Sequence, residues 1–139
     1  MPYYNPKHPS NAYQAGALVA VYAAIQRAAM PDVNASMVQR YYSSASQTPA
    51  LALGRLAAMS NHHQEKLEYR WQINMFSELL NAASVAIGDN IPTVLNLEGQ
   101  AYFALGYRQM SAEISRRENE ARAQRQARKA AQTTGKEEA

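Results

Sequence analysis

The residues whose types and spacing most suggest a chemical site are His62 and His63, with Glu65 two positions further on. Imidazoles titrate near neutral pH and ligate metals, so such a group would suit acid–base work or zinc. On a helix, however, neighbouring side chains point about 100° apart, and adjacent histidines do not converge on one ion. The helical zinc pattern places two histidines four residues apart around a glutamate, and the sequence lacks it. Counting round a helix from Arg55, His63 falls near Leu56 and Leu67, on the apolar side, which reads as a core histidine satisfied by hydrogen bonds. There is no cysteine, so disulfides and thiolate metal sites are excluded. No catalytic residue, metal ligand or cofactor is expected, and the chain reads as a non-enzyme. A hydrolase built on His62 or His63 is the weakest alternative, because it would need a titratable pair in a pocket.

His62 belongs to a different pattern. Arg55, Met59, His62 and Lys66 fall at i, i+4, i+7 and i+11, and Arg70 joins them if the helix continues. Opposite them lie Leu53, Leu56 and Leu67. This row is either an ordinary solvated face or a track for a phosphate backbone, which needs spaced cations but no geometry for reading bases. Arg40 and Arg108 are expected to approach it in the fold. Arg116 and Arg117 open a basic run in which Arg122, Arg125 and Lys129 share a face at i, i+3 and i+7, with Arg128 nearby; Glu118 and Glu120 interrupt it. That run reads equally as a solubilising tail or as an electrostatic accessory. The candidate nucleic-acid-binding set is Arg40, Arg55, His62, Lys66, Arg70, Arg108, Arg116 and Arg117.

The charge distribution supports looking at local clusters. The net charge is +3. Residues 1–115 hold seven Lys/Arg and seven Asp/Glu, whereas residues 116–139 hold seven Lys/Arg against four Glu, so the whole excess lies at the C-terminal end. Any affinity of the body for nucleic acid must come from clustering. Nine tyrosines could stack on unpaired bases beside cations. A helical tyrosine is more often a core or interface residue with its hydroxyl at the rim.

The elements that must position these residues are all helices. Ser10 suits an N-cap, and Leu18, Val21, Tyr22 and Ile25 lie on one face of a helix over 11–29 that Met30-Pro31 ends. Asp32 or Asn34 can cap a helix over 35–46, with Met37, Val38, Tyr41 and Ala45 inward. Thr48-Pro49 starts a third helix reaching at least Lys66, since proline is favoured at the first helical position. From Pro49 to Ile87 no proline intervenes, and an unbroken helix of that span would be on the order of 60 Å long. That is too long for a compact bundle, so a bend near 66–70 is expected. A fourth helix over 70–87 carries Trp71, Phe76, Leu79, Leu80, Ala83 and Ile87 and closes on Gly88. Asn96 caps a fifth, with Phe103, Gly106, Tyr107, Met110 and Ile114 on one side.

These elements make an all-α fold: a compact bundle of about five helices over residues 1–118, with a basic, Ala-rich extension over 119–139. The extension has no large apolar side chain with which to dock. It is expected to be a helix extension or disordered, fraying beyond about Arg122, with Thr133 to Ala139 disordered in the absence of a partner. Apolar residues make up 47% of the chain, yet alanine supplies much of that, beside two Phe and one Trp. Such a thin core completes its stability by docking onto other proteins. No run approaches the ~20 apolar residues of a membrane span, and residues 1–10 are neither signal nor transit peptide, so a cytoplasmic protein with no membrane partner is expected.

Taken in order, Asn5-Pro6, NAYQAGAL at 11–18, RYYSSASQTPA at 40–50, NHHQEKL at 61–67 and IPTVLNLEGQAYFALGYRQ at 91–109 resemble the C-terminal region of the type I-C CRISPR large subunit. That region is similar to a protein made separately by internal translation, the small subunit of the type I-C Cascade interference complex. The resemblance covers about residues 5–110, and RYYSSASQTPA and LEGQAYFALGY are its specific parts. A start at Met1, without a larger domain before it, suits the small subunit; the basic tail matches no family motif. The resemblance implies a non-catalytic helical bundle present in more than one copy. It would lie along the crRNA-bearing backbone subunits beside the large subunit and hold target DNA, the displaced strand in particular, so stabilising the R-loop. The alternative is a purely structural subunit that bridges its neighbours without touching nucleic acid. Salt separates the two, since phosphate binding weakens steeply with ionic strength and apolar docking does not.

Overall fold

A computed structural model describes the backbone of residues 2–30 and 37–138 and the side chains of 2–30 and 41–133. Five helices follow one another: α1 (Asn11–Ala29), α2 (Met37–Gln47), α3 (Pro49–Gln64), α4 (Arg70–Ile87) and α5 (Leu97–Glu138). No strand occurs among the described residues. The fold is all-α, as the periodicity implies.

Local chemistry sets most of the boundaries. The Ser10 hydroxyl accepts the Tyr13 N–H at 3.2 Å and caps α1. Pro49 opens α3, although the Thr48 hydroxyl donates back to the Ser44 carbonyl at 3.0 Å instead of capping forwards. Gly88 ends α4 at φ 56°, a backbone conformation favouring glycine. The Asn96 side chain accepts the Gly99 N–H at 2.8 Å and starts α5. Asp32 and Asn34, the expected caps of α2, lie outside the described residues, as do the side chains of Met37 and Val38. Of the other inward positions expected there, Ala45 is fully buried and Tyr41 half-buried.

The core has α1 at its centre. One apolar face was expected on it, but Ala15, Ala17, Val19, Ala20, Ala23 and Ala24 are buried along with Leu18, Val21 and Ile25. A helix apolar all round is an interior helix, and α1 packs most extensively against α5, then α3 and α4. Alanine obscures this in the sequence, because it is neutral in a stripe yet lets neighbouring helices close in on every side.

At the α1–α5 crossing two glycines oppose two aromatic residues. A Cβ on Gly16 would run into the Phe103 carbonyl, and one on Gly106 would run into the Tyr13 carbonyl. Only bare glycines allow the two backbones to meet this closely. Tyr13, Phe103, Met110 and Ile114 are fully buried around the contact. Residues 4–10 fold over it: Tyr4 donates to Gln14 at 2.8 Å, and Gln14 donates to the Asn5 and His8 carbonyls at 3.2 Å. The His8 ring stacks on Tyr13 at 4.0 Å.

On α4, Met75, Phe76, Leu79, Ala83 and Ile87 face inward, with Trp71 and Leu80 half-buried at the edge. Glu78 of α4 pairs with Arg117 of α5 at 3.1 Å, and Trp71 of α4 meets Arg125 of α5. The falling register makes α4 and α5 antiparallel. Ala28 and Ala29, at the end of α1, share a concavity with Tyr69 and Gln72 at the start of α4. Hence α1 is antiparallel to α4 and runs in the same direction as α5.

The extension departs most from expectation. Rather than fraying after Arg122, α5 continues as one helix to Glu138, 42 residues in all, on the order of 60 Å. Between Gly106 and Gly135 no glycine or proline interrupts it. The docked first half has already met the unfavourable nucleation step, so good helix formers simply propagate. The chain breaks between α3 and α4, as the length of the combined span requires of a compact bundle, yet a helix of the same length occurs in α5. That helix is tolerated because its second half runs into solvent, with residues 122–133 exposed.

Candidate nucleic-acid interface

The corner between α3 and α4 carries four of the predicted cations. Arg55 and His62 are exposed on α3, and Lys66 and Arg70 are exposed beyond its end. The helix stops at Gln64, two residues short of Lys66. There the Lys66 N–H donates to the His63 carbonyl at 3.0 Å and the Leu67 N–H to the Gln64 carbonyl at 3.2 Å, a tightening into i→i+3 bonds. Lys66 therefore sits in a turn, and Arg70 opens a helix of its own instead of extending the row. Met59 is half-buried against the core and does not belong to the solvated face. Among the described residues, Arg55, Lys66 and Arg70 make no salt bridge.

His63 is half-buried at the edge of the bundle and not inside it. Burial pushes its imidazole below the usual histidine range, with Lys66 and His62 adding to the effect. The His62 and His63 rings are 6.4 Å apart and tilted. Among the described residues, no three His, Cys, Asp or Glu side chains are grouped to hold a metal, and no helix is long and apolar enough to cross a membrane.

The predicted cations of α5 divide. Arg108 is exposed. Arg116 and Arg117 are half-buried and committed to carboxylates. Arg116 donates to Glu113 at 2.8 and 2.9 Å and to Glu120 at 2.7 Å. Arg117 reaches Glu113 at 3.3 Å and Glu78 of α4 at 3.1 Å. The hydrogen bonds from Arg116 outweigh burial and hold the Glu113 carboxyl below the usual glutamate range, with Arg117 adding to them. The same bonds raise Arg116 further above the usual arginine range, and its guanidinium lies 5.6 Å from the Tyr3 ring centre. These two arginines fasten α5 to α4 and the N-terminal segment, with much of their charge offset. Arg40 lies on α2 with its side chain outside those described.

A further cluster stands where the sequence placed no site. Arg125, on the extension, lies 5.4 Å from the Trp71 ring centre and 5.9 Å from that of Tyr69. The extension's basic face is thereby carried to the α3–α4 corner, beside Lys66 and Arg70. The spacing of Arg122, Arg125 and Lys129 was visible in the sequence, as were the aromatic residues either side of Arg70. Nothing local signals that the two segments, more than fifty residues apart, meet.

A family model described as CRISPR-associated protein (Cas_Csd1) matches residues 3–114 of the chain. No curated protein matches it. The matched segment stops short of Arg116, so the whole α5 extension, with Arg125, lies beyond it.

Proposed function

The chain belongs to the Cas_Csd1 family of CRISPR-associated proteins, and from that premise we propose that it is the non-catalytic small subunit of a type I-C Cascade complex. In this reading it packs along the crRNA-bearing backbone subunits beside the large subunit and further copies of itself. There it holds target DNA, chiefly the displaced strand, by electrostatic contact. R-loop formation exchanges one duplex for another of similar stability, so a few well-placed cations can tip the balance. The observation that carries the proposal is the exposed trio Arg55, Lys66 and Arg70, free of salt bridges among the described residues while Arg116 and Arg117 are paired. Cations already offset by carboxylates release few counterions on meeting phosphate; unpaired ones release more.

Reversing Arg55, Lys66 and Arg70 to glutamate should weaken binding of target DNA by the assembled complex at least tenfold at physiological salt, while the subunit still assembles. Unchanged R-loop affinity would refute the assignment. A purely structural role has its own support in the exposed apolar residues Leu51, Val94 and Leu97, which are 64%, 73% and 84% exposed. The Ala50 N–H donates to the Pro92 carbonyl at 3.0 Å and the Leu95 N–H to the Gln47 carbonyl at 2.8 Å, which sets these residues at one end of the bundle. Salt-insensitive association that depends on Leu97 and not on the cations would favour that role.

A further inference from the structure

We propose that Arg125, seated on Tyr69 and Trp71, is the centre of a binding site for single-stranded nucleic acid built jointly by the α5 extension and the α3–α4 corner. The inference rests on the nucleic-acid role proposed above and locates a site for it outside the family-matched segment. A guanidinium held over aromatic rings by cation–π attraction spends no N–H donor on them, so Tyr69 and Trp71 orient Arg125 without using up its capacity to bind phosphate. Arg122 and Lys129 flank it on the same helical face, and with Gln126 they border a concavity of about 190 Å³. Arg122 is only loosely held, 3.9 Å from Glu118. On the other side of Tyr69 a second concavity of about 280 Å³ is bordered by Lys66, Tyr69 and Gln72, with Glu68 and the last residues of α1.

Tyr69, 51% exposed, thus borders the hollow that holds Lys66 and Glu68 and touches Arg125, which lines the other. That is the layout used by single-strand binders, in which spaced cations take the phosphates and an aromatic face between them takes a base. A duplex keeps its bases stacked inside and cannot use Tyr69. The indole N–H of Trp71 is buried without a hydrogen-bond partner, a donor left over beneath the same site.

Trp71 is the sole tryptophan, so its emission reports on the site directly. In a titration of the full chain with a 20-nucleotide oligothymidylate, followed by anisotropy and by Trp71 fluorescence, binding should change the emission. Arg125→Gln should weaken binding roughly tenfold. Tyr69→Ala should weaken it similarly, and Tyr69→Phe should restore it. Replacing Arg122, Arg125 and Lys129 together with glutamine should lower the slope of log affinity against log salt by about two. Equal binding of oligouridylate would extend the site to RNA, and a preference for oligothymidylate would assign it to DNA; both support it.

Binding that survives Arg125→Gln at full strength, an unchanged Trp71 emission, or no binding by the free chain would overturn the site. Circular dichroism of each variant separates loss of binding from loss of folding. If the site fails while the complex still depends on Arg55, Lys66 and Arg70, the proposed function stands. If Arg125 binds oligonucleotide while the complex ignores all of these residues, the site stands and that function falls.

Discussion

The two halves of α5 are one continuous helix under opposite regimes. From Phe103 to Ile114 the helix is fixed by packing: glycine opposes carbonyl, aromatic residues fill the crossing, and a polar network closes over it. From Arg122 to Thr133 the side chains are exposed, and the helix persists through propensity and through continuity with its docked first half. The contrast shows that a helical backbone does not reveal what holds it in place. In the first half a single added methyl group should be felt at once. In the second, most substitutions should change only charge.

The sharpest test is a pair of identical substitutions. Gly106→Ala puts a Cβ into the Tyr13 carbonyl, a backbone atom that cannot swing aside. Overpacking of this kind should destabilise the fold by about 3 kcal/mol in denaturant unfolding. Gly54→Ala, on an exposed stretch of α3 with nothing within reach of the added carbon, should stabilise it by about 0.5–1 kcal/mol through helix propensity. Equal effects of the two would erase the distinction between packed and solvated helix.

A second test uses alkali. Burial, with Tyr13 adding, pushes the Tyr4 hydroxyl up to about 12 from its ordinary value near 10. The folded state thus favours the protonated phenol more than the unfolded chain does. Its contribution is fully present below pH 10 and is lost as the pH rises from 10 through 12, on the order of 2–3 kcal/mol in all. Denaturant midpoints should fall over that window, and Tyr4→Phe should flatten the fall while lowering the plateau. Because the extension contains no tyrosine, its removal should leave the alkaline limb unaltered.

The smallest effect concerns the extension itself. Deleting residues 119–139 removes the contacts of Arg125 with Tyr69 and Trp71 and the Arg116–Glu120 pair, but nothing from the core. Thermal unfolding should shift by no more than about 1 kcal/mol of stability, the scale of exposed cation–π contacts. A larger loss would place the extension with the packed half of the helix.

How the sequence reads differs from element to element. Ser10, Pro49, Gly88 and Asn96 mark their helix ends because a cap or a restricted φ acts on the nearest few residues, whatever the rest of the chain does. The same holds for the inward face of α5 at Phe103, Met110 and Ile114, whose period of three and four survives without knowing the partner. By contrast, α1 looked like an ordinary amphipathic helix, because alanine says little about which sides are covered. The candidate site was legible only in part: Arg55, Lys66 and Arg70 are exposed as the sequence suggested, whereas Arg116 and Arg117 are paired with carboxylates. Their partner Glu78 sits on another helix, and no spacing along α5 could name it.

Length and placement divide in the same way. The chain by itself determined that there are helices, roughly where they start and where the first four stop, and that the excess positive charge lies at the C-terminal end. Those properties follow from backbone sterics, capping and composition, all of which act locally. Only the tertiary structure decided that Gly16 and Gly106 meet opposing carbonyls, that α1 lies inside, and that Arg125 comes to rest on Tyr69 and Trp71. Such contacts join residues far apart in the chain. They depend on the directions in which α1, α4 and α5 run, which are set by burying apolar surface over the whole bundle at once.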